Sequence, residues 1–396
     1  MPHSVGKMKS VQLPVAVVCL GTLVACQADE EPASASAPVA PVDAVWELTE
    51  DLRIGALDGP PELTFASIAG LEVDDYGRIW VLDSQAGELR VFDSDGSHLR
   101  TIGREGQGPG EFQRPSALAR HPDGTMWVID SGRKVYSVFD TTGAIAATHP
   151  RPLSNSVPVR SDDFTRQGRL FEVEATFRES GVEYFLALVE PETGRIDSIP
   201  LPRFTREEYE VEVASGGGVA RYMSVVPFTS ILVWHTDEDG TLWYGATSPY
   251  RIVRTALEGD TIGVVERSYE PVPVQPGERE AAIEELQGIR DMGARIDEGR
   301  IPSVKPAFRH FLVDDEEHLW VVPVQPADSA EVEGPTLFEI FDPKGRYLGS
   351  AQSPVPLLFR QENPHLHPFL RDGYLYGVTT GELGEQSVVR LRVAGR

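Results

Sequence analysis

Cysteine and asparagine are almost missing from this 396-residue chain, which holds two cysteines, Cys19 and Cys26, and two asparagines, Asn155 and Asn363. Cys19 sits inside an apolar N-terminal run. Beyond that run a single thiol remains, so no internal disulfide forms and stability must come from core burial. A thiolate zinc site is excluded too, because such sites need several ligands at close spacing. Positive charge is also scarce: 36 Lys and Arg stand against 61 Asp and Glu, a formal net charge of −25. A surface that acidic repels nucleic acid and anionic headgroups. Lysine is absent from the glycine-rich stretch GREGQGPGEFQRP (Gly103–Pro115). A phosphate cradle needs that lysine, or a helix opening directly after the glycines. Here Glu111 and Pro115 follow, and then ALARHPDGTMWVID, which reads as strand, turn, strand. The glycines are punctuation between pieces of sheet.

Long apolar runs are lacking as well. The longest, VQLPVAVVCLGTLVA (Val11–Ala25), follows Lys7 and Lys9 and is short and proline-broken. Basic, then apolar, then small residues is the order of a secretory signal, not of a mature span. Removing residues 1–25 takes two lysines and no acids, leaving a still more acidic chain. Gln27–Asp43, QADEEPASASAPVAPVD, has almost nothing to bury and reads as an extended, disordered tether. The expected organisation is residues 1–25 as signal, 26–43 as tether and 44–396 as one folded domain.

What is present in abundance is a repeat. Aligned on a polar Asp/Gly turn stand DDYGRIWVLD (74–83), HPDGTMWVID (121–130), RQGRLFEV (166–173), DEDGTLWYGA (237–246), DDEEHLWVVP (314–323) and RDGYLYGVT (371–379). Each turn leads into a short strand with an aromatic at one place: Trp80, Trp127, Phe171, Trp243, Trp320 and Tyr376. A D-G turn between apolar runs is a hairpin signal, since those residues accept the backbone the turn needs. A second hairpin follows the first five copies, as in ELRVFDSDGSHLRTIG (88–103) and VYSVFDTTGAIAAT (135–148). Four strands per unit, repeated around an axis, make a β-propeller blade. The aromatic spacings are 47, 44, 72, 77 and 56 residues, so the last three contain insertions. The sixth unit ends after a third strand, SVVRLRVAG (387–395), and VWELTEDLRIG (45–55) is available as its fourth. That pairing would close the ring and hide an open sheet edge. The fold class is all-β: a six-bladed propeller of four-stranded antiparallel blades, closed by an N-terminal strand, with a helical insertion between blades four and five.

The stretch G-x-G-P-G-E-F-x-x-P, followed by D-G-x-x-W-V-x-D and F-D-x-x-G, resembles the NHL repeat, most closely over residues 60–150. From about residue 45 onward the chain is similar to the six-bladed propeller lipoproteins of bacteria. Leu23-Val24-Ala25-Cys26 resembles a lipobox, which implies cleavage before Cys26 and diacylation of its thiol. The expectation is an exported, lipid-anchored protein of the bacterial cell envelope, at the outer rather than the inner membrane. The alternative is a secreted protein with an incidental cysteine.

In a propeller the links between blades share one face with the loops joining second and third strands. Every long insertion here falls on that link face: 202–228, 273–308 and 324–336. The opposite face carries only short turns, such as DSDG at Asp93, which mimics a Ca²⁺ loop but has Arg104 where the closing glutamate belongs. Loops this long inside a compact domain are functional or disordered. Within 276–299, Ala282, Ile283, Leu286, Ile289, Met292 and Ile296 recur at helical spacing, a brace or a lid. First strands begin around Arg114, Ser116, Arg160, Ser230, Arg309, His310, His365 and His367, which makes these the candidate ligand-binding residues of an axial mouth. The arginines suit a carboxylate or sulfate-like ligand, unless they pair with the chain's many acids. The three histidines would serve as metal ligands or as wall residues. No Ser–His or Cys–His constellation marks a nucleophile. The favoured reading is therefore a non-enzymatic, monomeric propeller without a cofactor, binding a small anionic ligand, a glycan or an envelope protein. The competing reading is a metal-dependent enzyme resembling lactonase or amidating-lyase propellers. For the lactonase type two asparagines leave little material for the cage that resemblance implies, and for the lyase type only the three histidines cluster.

Overall fold

A computed structural model of the chain describes residues 46–395 apart from 153–158, 179–180, 200–205, 216–217, 238–239, 258, 326–333 and 360–365. Cys26, the tether and His365 lie outside the described residues. The first strand, β1 (Glu47–Ile54), is followed by blade one: β2 (Ile68–Val73), β3 (Ile79–Asp83), β4 (Glu88–Phe92) and β5 (His98–Ile102). Blade two is β6 (Pro115–Arg120), β7 (Met126–Asp130), β8 (Val135–Phe139) and β9 (Ile145–Pro150). Blade three is β10 (Val159–Phe164), β11 (Leu170–Arg178), β12 (Gly181–Glu190) and β13 (Arg195–Ile199). A separate hairpin, β14 (Glu208–Ser215) and β15 (Gly218–Val225), precedes blade four, which is β16 (Leu232–Thr236), β17 (Leu242–Ala246), β18 (Arg251–Thr255) and β19 (Thr261–Glu266). Two short helices, α1 (Pro276–Glu285) and α2 (Gln287–Asp291), lead to blade five: β20 (Phe308–Val313), β21 (Leu319–Pro323), β22 (Leu337–Phe341) and β23 (Tyr347–Gln352). Blade six contains β24 (Phe369–Arg371), β25 (Tyr374–Thr380) and β26 (Gln386–Ala394).

Six four-stranded antiparallel sheets result, and the sixth has the order β1-β26-β25-β24. The N-terminal strand thus supplies the missing outer strand, from Glu47 opposite Ala394 to Ile54 opposite Val388. Burial follows position. Middle strands such as β3 and β7 are buried throughout because neighbouring blades cover both faces, whereas β5 and β9 alternate with solvent. Trp80, Trp243 and Trp320 are fully enclosed.

In blades one and five the turn and the tryptophan of the repeat are one device. In blade one the Asp74 carboxylate accepts from the Tyr76 and Arg78 amides and from the Trp80 indole N–H at 2.9 Å. Trp320 donates in the same way to Asp314. The acid therefore stabilises the turn and satisfies the one polar atom of a buried indole. In blade five the glycine place of the turn is filled by Glu317 at φ 62°, held from blade four by Arg254.

A second device closes the link face. Asp83 accepts from the Ala66, Ser67 and Ala86 amides, and Asp130 from the amides of Gln113, Arg114, Gly132 and Arg133. Both carboxylates are wholly buried. Each pins the incoming link to the end of a second strand. Thr247 does this for Ile231 in blade four, and Gln386 for Ile68 where blade six meets blade one.

The glycine run follows the same logic. Glu111 folds back over its own loop, accepting from the Gly108 amide at 2.8 Å and from Arg104. A Cβ on Gly106 would sit 2.1 Å from that carboxylate, and one on Gly103, at φ 84°, would strike the Phe112 ring. An amide that a phosphate would need already has an anion from the same chain.

Candidate functional site

Inter-blade links and the loops between second and third strands share one face by connectivity, and the insertions emerge there. Within 202–228, where the sequence suggested only a loop, β14 and β15 pair as a hairpin. The 276–299 segment is not one helix. α1 stops at Leu286, α2 ends at Met292, and Gly293 turns the chain at φ 103°. Met292 is correspondingly exposed, contrary to its place in the helical stripe. Leu286, Ile289 and Ile296 of that stripe do pack inward, against Tyr209, Val211 and Val226 of the neighbouring insertion. The Tyr209 hydroxyl donates to the Asp297 carbonyl at 2.7 Å, and Arg300 donates to the Glu208 carbonyl while its guanidinium lies over the Tyr209 ring. The two insertions form one cap with its own core.

The cap is fastened at its neck. Val274 and Lys305 amides donate across to Ser303 and Val272 carbonyls, and the Lys305 ammonium meets buried Glu278 at 2.5 Å. Glu278 also caps α1 by accepting from the Gln275 amide. Burial alone would raise the Glu278 pKa, but Lys305 and the Gln275 amide outweigh it and hold the carboxyl below its ordinary value.

The inner strands begin with a repeated irregularity. The pairing register slips by one residue between Ile68 and Gly70, Pro115 and Ala117, Val159 and Ser161, and Phe308 and His310. The extra residues are Ala69, Ser116, Arg160 and Arg309, so three candidates occupy the same bulge position in different blades. Bulges concentrate at barrel rims and next to sites because they re-aim a side chain. The pattern was not readable from the sequence, since a bulge exists only relative to its partner strand.

The remaining candidates separate. Arg114 is exposed and has no ion-pair partner among the described residues, while its amide is taken by Asp130. Ser116 shares a hydrogen bond with Ser131 at 2.7 Å, and Ser230 accepts from the Ser248 amide. Arg309 is exposed. His310 and His367 come together, with ring centroids 4.1 Å apart, and His310 is buried with Nδ1 at 2.8 Å from the Phe311 carbonyl. Among the described residues no three His, Cys, Asp or Glu side chains converge as a metal site would need.

Between blades four and five lies a cavity of about 320 Å³ on the link face. Tyr250, Arg267 and Glu339 meet on its wall. The Tyr250 hydroxyl donates to Glu339 at 2.7 Å, and Arg267 approaches the other carboxylate oxygen at 2.9 Å. Burial first, and then the Glu339 charge, push the Tyr250 phenol well above its usual pKa, which keeps it a donor.

Residues 53–163 match the family DUF5128, described as a 6-bladed beta-propeller. The chain is a six-bladed β-propeller with NHL-like repeats. Over 81 residues, 20% of this chain, it is 35% identical to NHL repeat-containing protein 3 of Mus musculus, and it matches the Homo sapiens protein equally. The chain spans only 23% of the length of these relatives. Among solved structures it is similar to a DUF4221 member from Bacteroides vulgatus at 11% identity, with 89% of this chain and 99% of that chain covered and a TM-score of 0.50. It is also similar to virginiamycin B lyase from Staphylococcus aureus at 11% identity, with 88% and 100% covered and a TM-score of 0.45. At such identities the likeness concerns the fold alone.

Proposed function

We propose that this propeller is a non-enzymatic binding protein of the cell envelope, held to the membrane through lipidated Cys26, with a ligand site at the axial mouth of its link face. The observation that carries the reading is the recurrence of the bulge: Ser116, Arg160 and Arg309 stand at one structural position in blades two, three and five. Exposed Arg114 stands two residues before Ser116, and the cap rises on the same face. Arginines placed at inner-strand starts suit a carboxylate or sulfate group, borne by a small anion, a glycan or an envelope protein. A metal-dependent lactonase or lyase would need at least a third ligand beside the His310–His367 pair.

Glucuronate and inorganic sulfate are suitable probes for calorimetric titration of the domain from residue 44. A charged hydrogen bond contributes about 1.5–3 kcal/mol, so Arg309→Ala should weaken the bound probe roughly tenfold or more. Asp95→Lys and Lys344→Glu, on opposite-face turns, should leave it unchanged. Equal affinity in all variants, or no binding of either anion by the unaltered domain, contradicts an anion-binding mouth. For the anchor, Cys26→Ser should release the protein from membranes or trap the precursor. A processed, membrane-bound variant rules out Cys26.

A further inference from the structure

The crevice between blades four and five is a different place from the axial mouth and has a different chemistry. Its wall repeats an arrangement found between blades two and three. There the Tyr136 hydroxyl donates to Glu172 at 2.8 Å and Arg151 pairs with the same carboxylate at 3.0 Å. That triad is sealed: the Glu172 and Arg151 side chains are 0% and 7% exposed. It works as a brace between blades. At the four–five junction the Glu339 and Arg267 side chains are 16% and 37% exposed. The difference comes from the link. After β19 the chain leaves the sheet to build the cap, and its two arms, Ser268–Val272 and Pro306–Ala307, become walls around open space.

Three features decide what that space would hold. The first is charge. Arg267 is neutralised by Glu339 and stacked on the Tyr347 ring at 4.6 Å, and the further carboxylate on the wall, Glu270, makes no ion pair among the described residues. An anion would meet a spent cation and an unopposed acid, and a cation would meet the guanidinium. The second is hydrogen-bonding capacity. Arg267 keeps N–H groups without a protein acceptor among the described residues, and Glu270 offers acceptors. The third is an aromatic face. Tyr269 is 37% exposed, and its hydroxyl is held by Ser248 at 3.2 Å, so the ring is steadied at the rim. Pro323 and Val324 add apolar surface beside the Pro306–Ala307 wall, and Gln325 lies next to them. The volume lies at the lower end of small-molecule sites, roughly 300–1,000 Å³.

We propose that this crevice is a binding site for a neutral saccharide, whose C–H face packs on Tyr269 and whose hydroxyls pair with Arg267 and Glu270. Neutral polyols match it because each hydroxyl donates and accepts at once, and because the sugar face is apolar. The Tyr250–Glu339 bond positions Arg267 without touching the ligand.

Saturation-transfer NMR tests this with the methyl glycosides of glucose, galactose and mannose, and with glucuronate as the charged counterpart. At least one neutral glycoside should receive saturation, and in Arg309→Ala, where the mouth is weakened, glucuronate should receive less than that glycoside. Tyr269→Ala, a change at an exposed residue, should weaken binding tenfold or more, while Tyr269→Phe should retain most of it. Arg309→Ala at the axial mouth should leave glycoside binding unchanged, which separates this site from the mouth. No transfer to any neutral glycoside, glucuronate receiving more saturation than every neutral glycoside in Arg309→Ala, or Tyr269→Ala binding as the parent does would each overturn the proposal. If only Arg309→Ala abolishes glycoside binding, the mouth is the saccharide site and the crevice is not.

Discussion

Closing the ring with β1 has a cost when it is undone, and the structure sets its size. Trp46, Leu48 and Ile54 are 7%, 6% and 2% exposed, and Trp46 packs edge-on against Trp320 with ring centroids 5.4 Å apart. Truncating a buried tryptophan to alanine costs about 3–5 kcal/mol. That loss is capped by the docking free energy of β1, because beyond it the strand peels away and β26 is left as an edge. Removing the strand altogether therefore measures the cap. For a domain this large each kcal/mol lowers the melting temperature by roughly 2 °C, so Trp46→Ala should fall roughly 6–10 °C. A chain beginning at Pro60 should fall at least as far as Trp46→Ala and should aggregate through its exposed edge. The reference is a chain beginning at Asp43, and scanning calorimetry with light scattering reads both effects. Coincident melting of the Asp43 and Pro60 chains would falsify closure by the N-terminal strand.

Lys305→Met strands a buried carboxylate and should cost about 3–5 kcal/mol in the cap, read as lost hydrogen-exchange protection in α1. Adding Glu278→Met should recover most of it apart from the lost cap on α1, and a double variant no more protected than the single would refute the pair's role. Glu111 is held below its ordinary value of 4.5, first by the Gly108 amide and then by Arg104. A depressed carboxylate stabilises the fold above its unfolded pKa and loses that contribution as pH falls through the folded one. Protection of the Gly108 amide should therefore fade only on acidification below the ordinary value, and a loss that sets in above that value contradicts the assignment. Asp130→Ala, which orphans four amides, should cost about 1–3 kcal/mol or more in urea unfolding, and a neutral result would show that the link is held some other way.

The architecture was legible because its signal is local and repeated. A polar turn a few residues before a large aromatic marks the start of a blade, and in blades one and five the physical reason is the indole–carboxylate bond at Asp74–Trp80 and Asp314–Trp320, whereas in blade two Trp127 donates to Thr125 instead. The closing strand was legible because the sixth unit lacked one. The role of Asp83 and Asp130 is not legible in the sequence, where each is only a charged residue ending an apolar strand and two of its amide partners lie in the incoming link. The cap helices read as one in the sequence because periodicity is blind to the break at Leu286 and to the turn at Gly293. The crevice left no trace, since Tyr250 and Glu339 stand 89 residues apart and meet only when two blades pack. Arg160 and Arg309 were chosen for their place at strand starts, and the shared bulge that unites them needed the pairing register.

Hydrogen exchange with and without saturating glucuronate tests the central claim, that the link face is the working face, most directly. The account predicts added protection in the link-face segments around 113–117 and 306–310, and none at the opposite-face turns 93–96 and 140–143. Protection confined to those turns, or spread evenly over both faces, would contradict it.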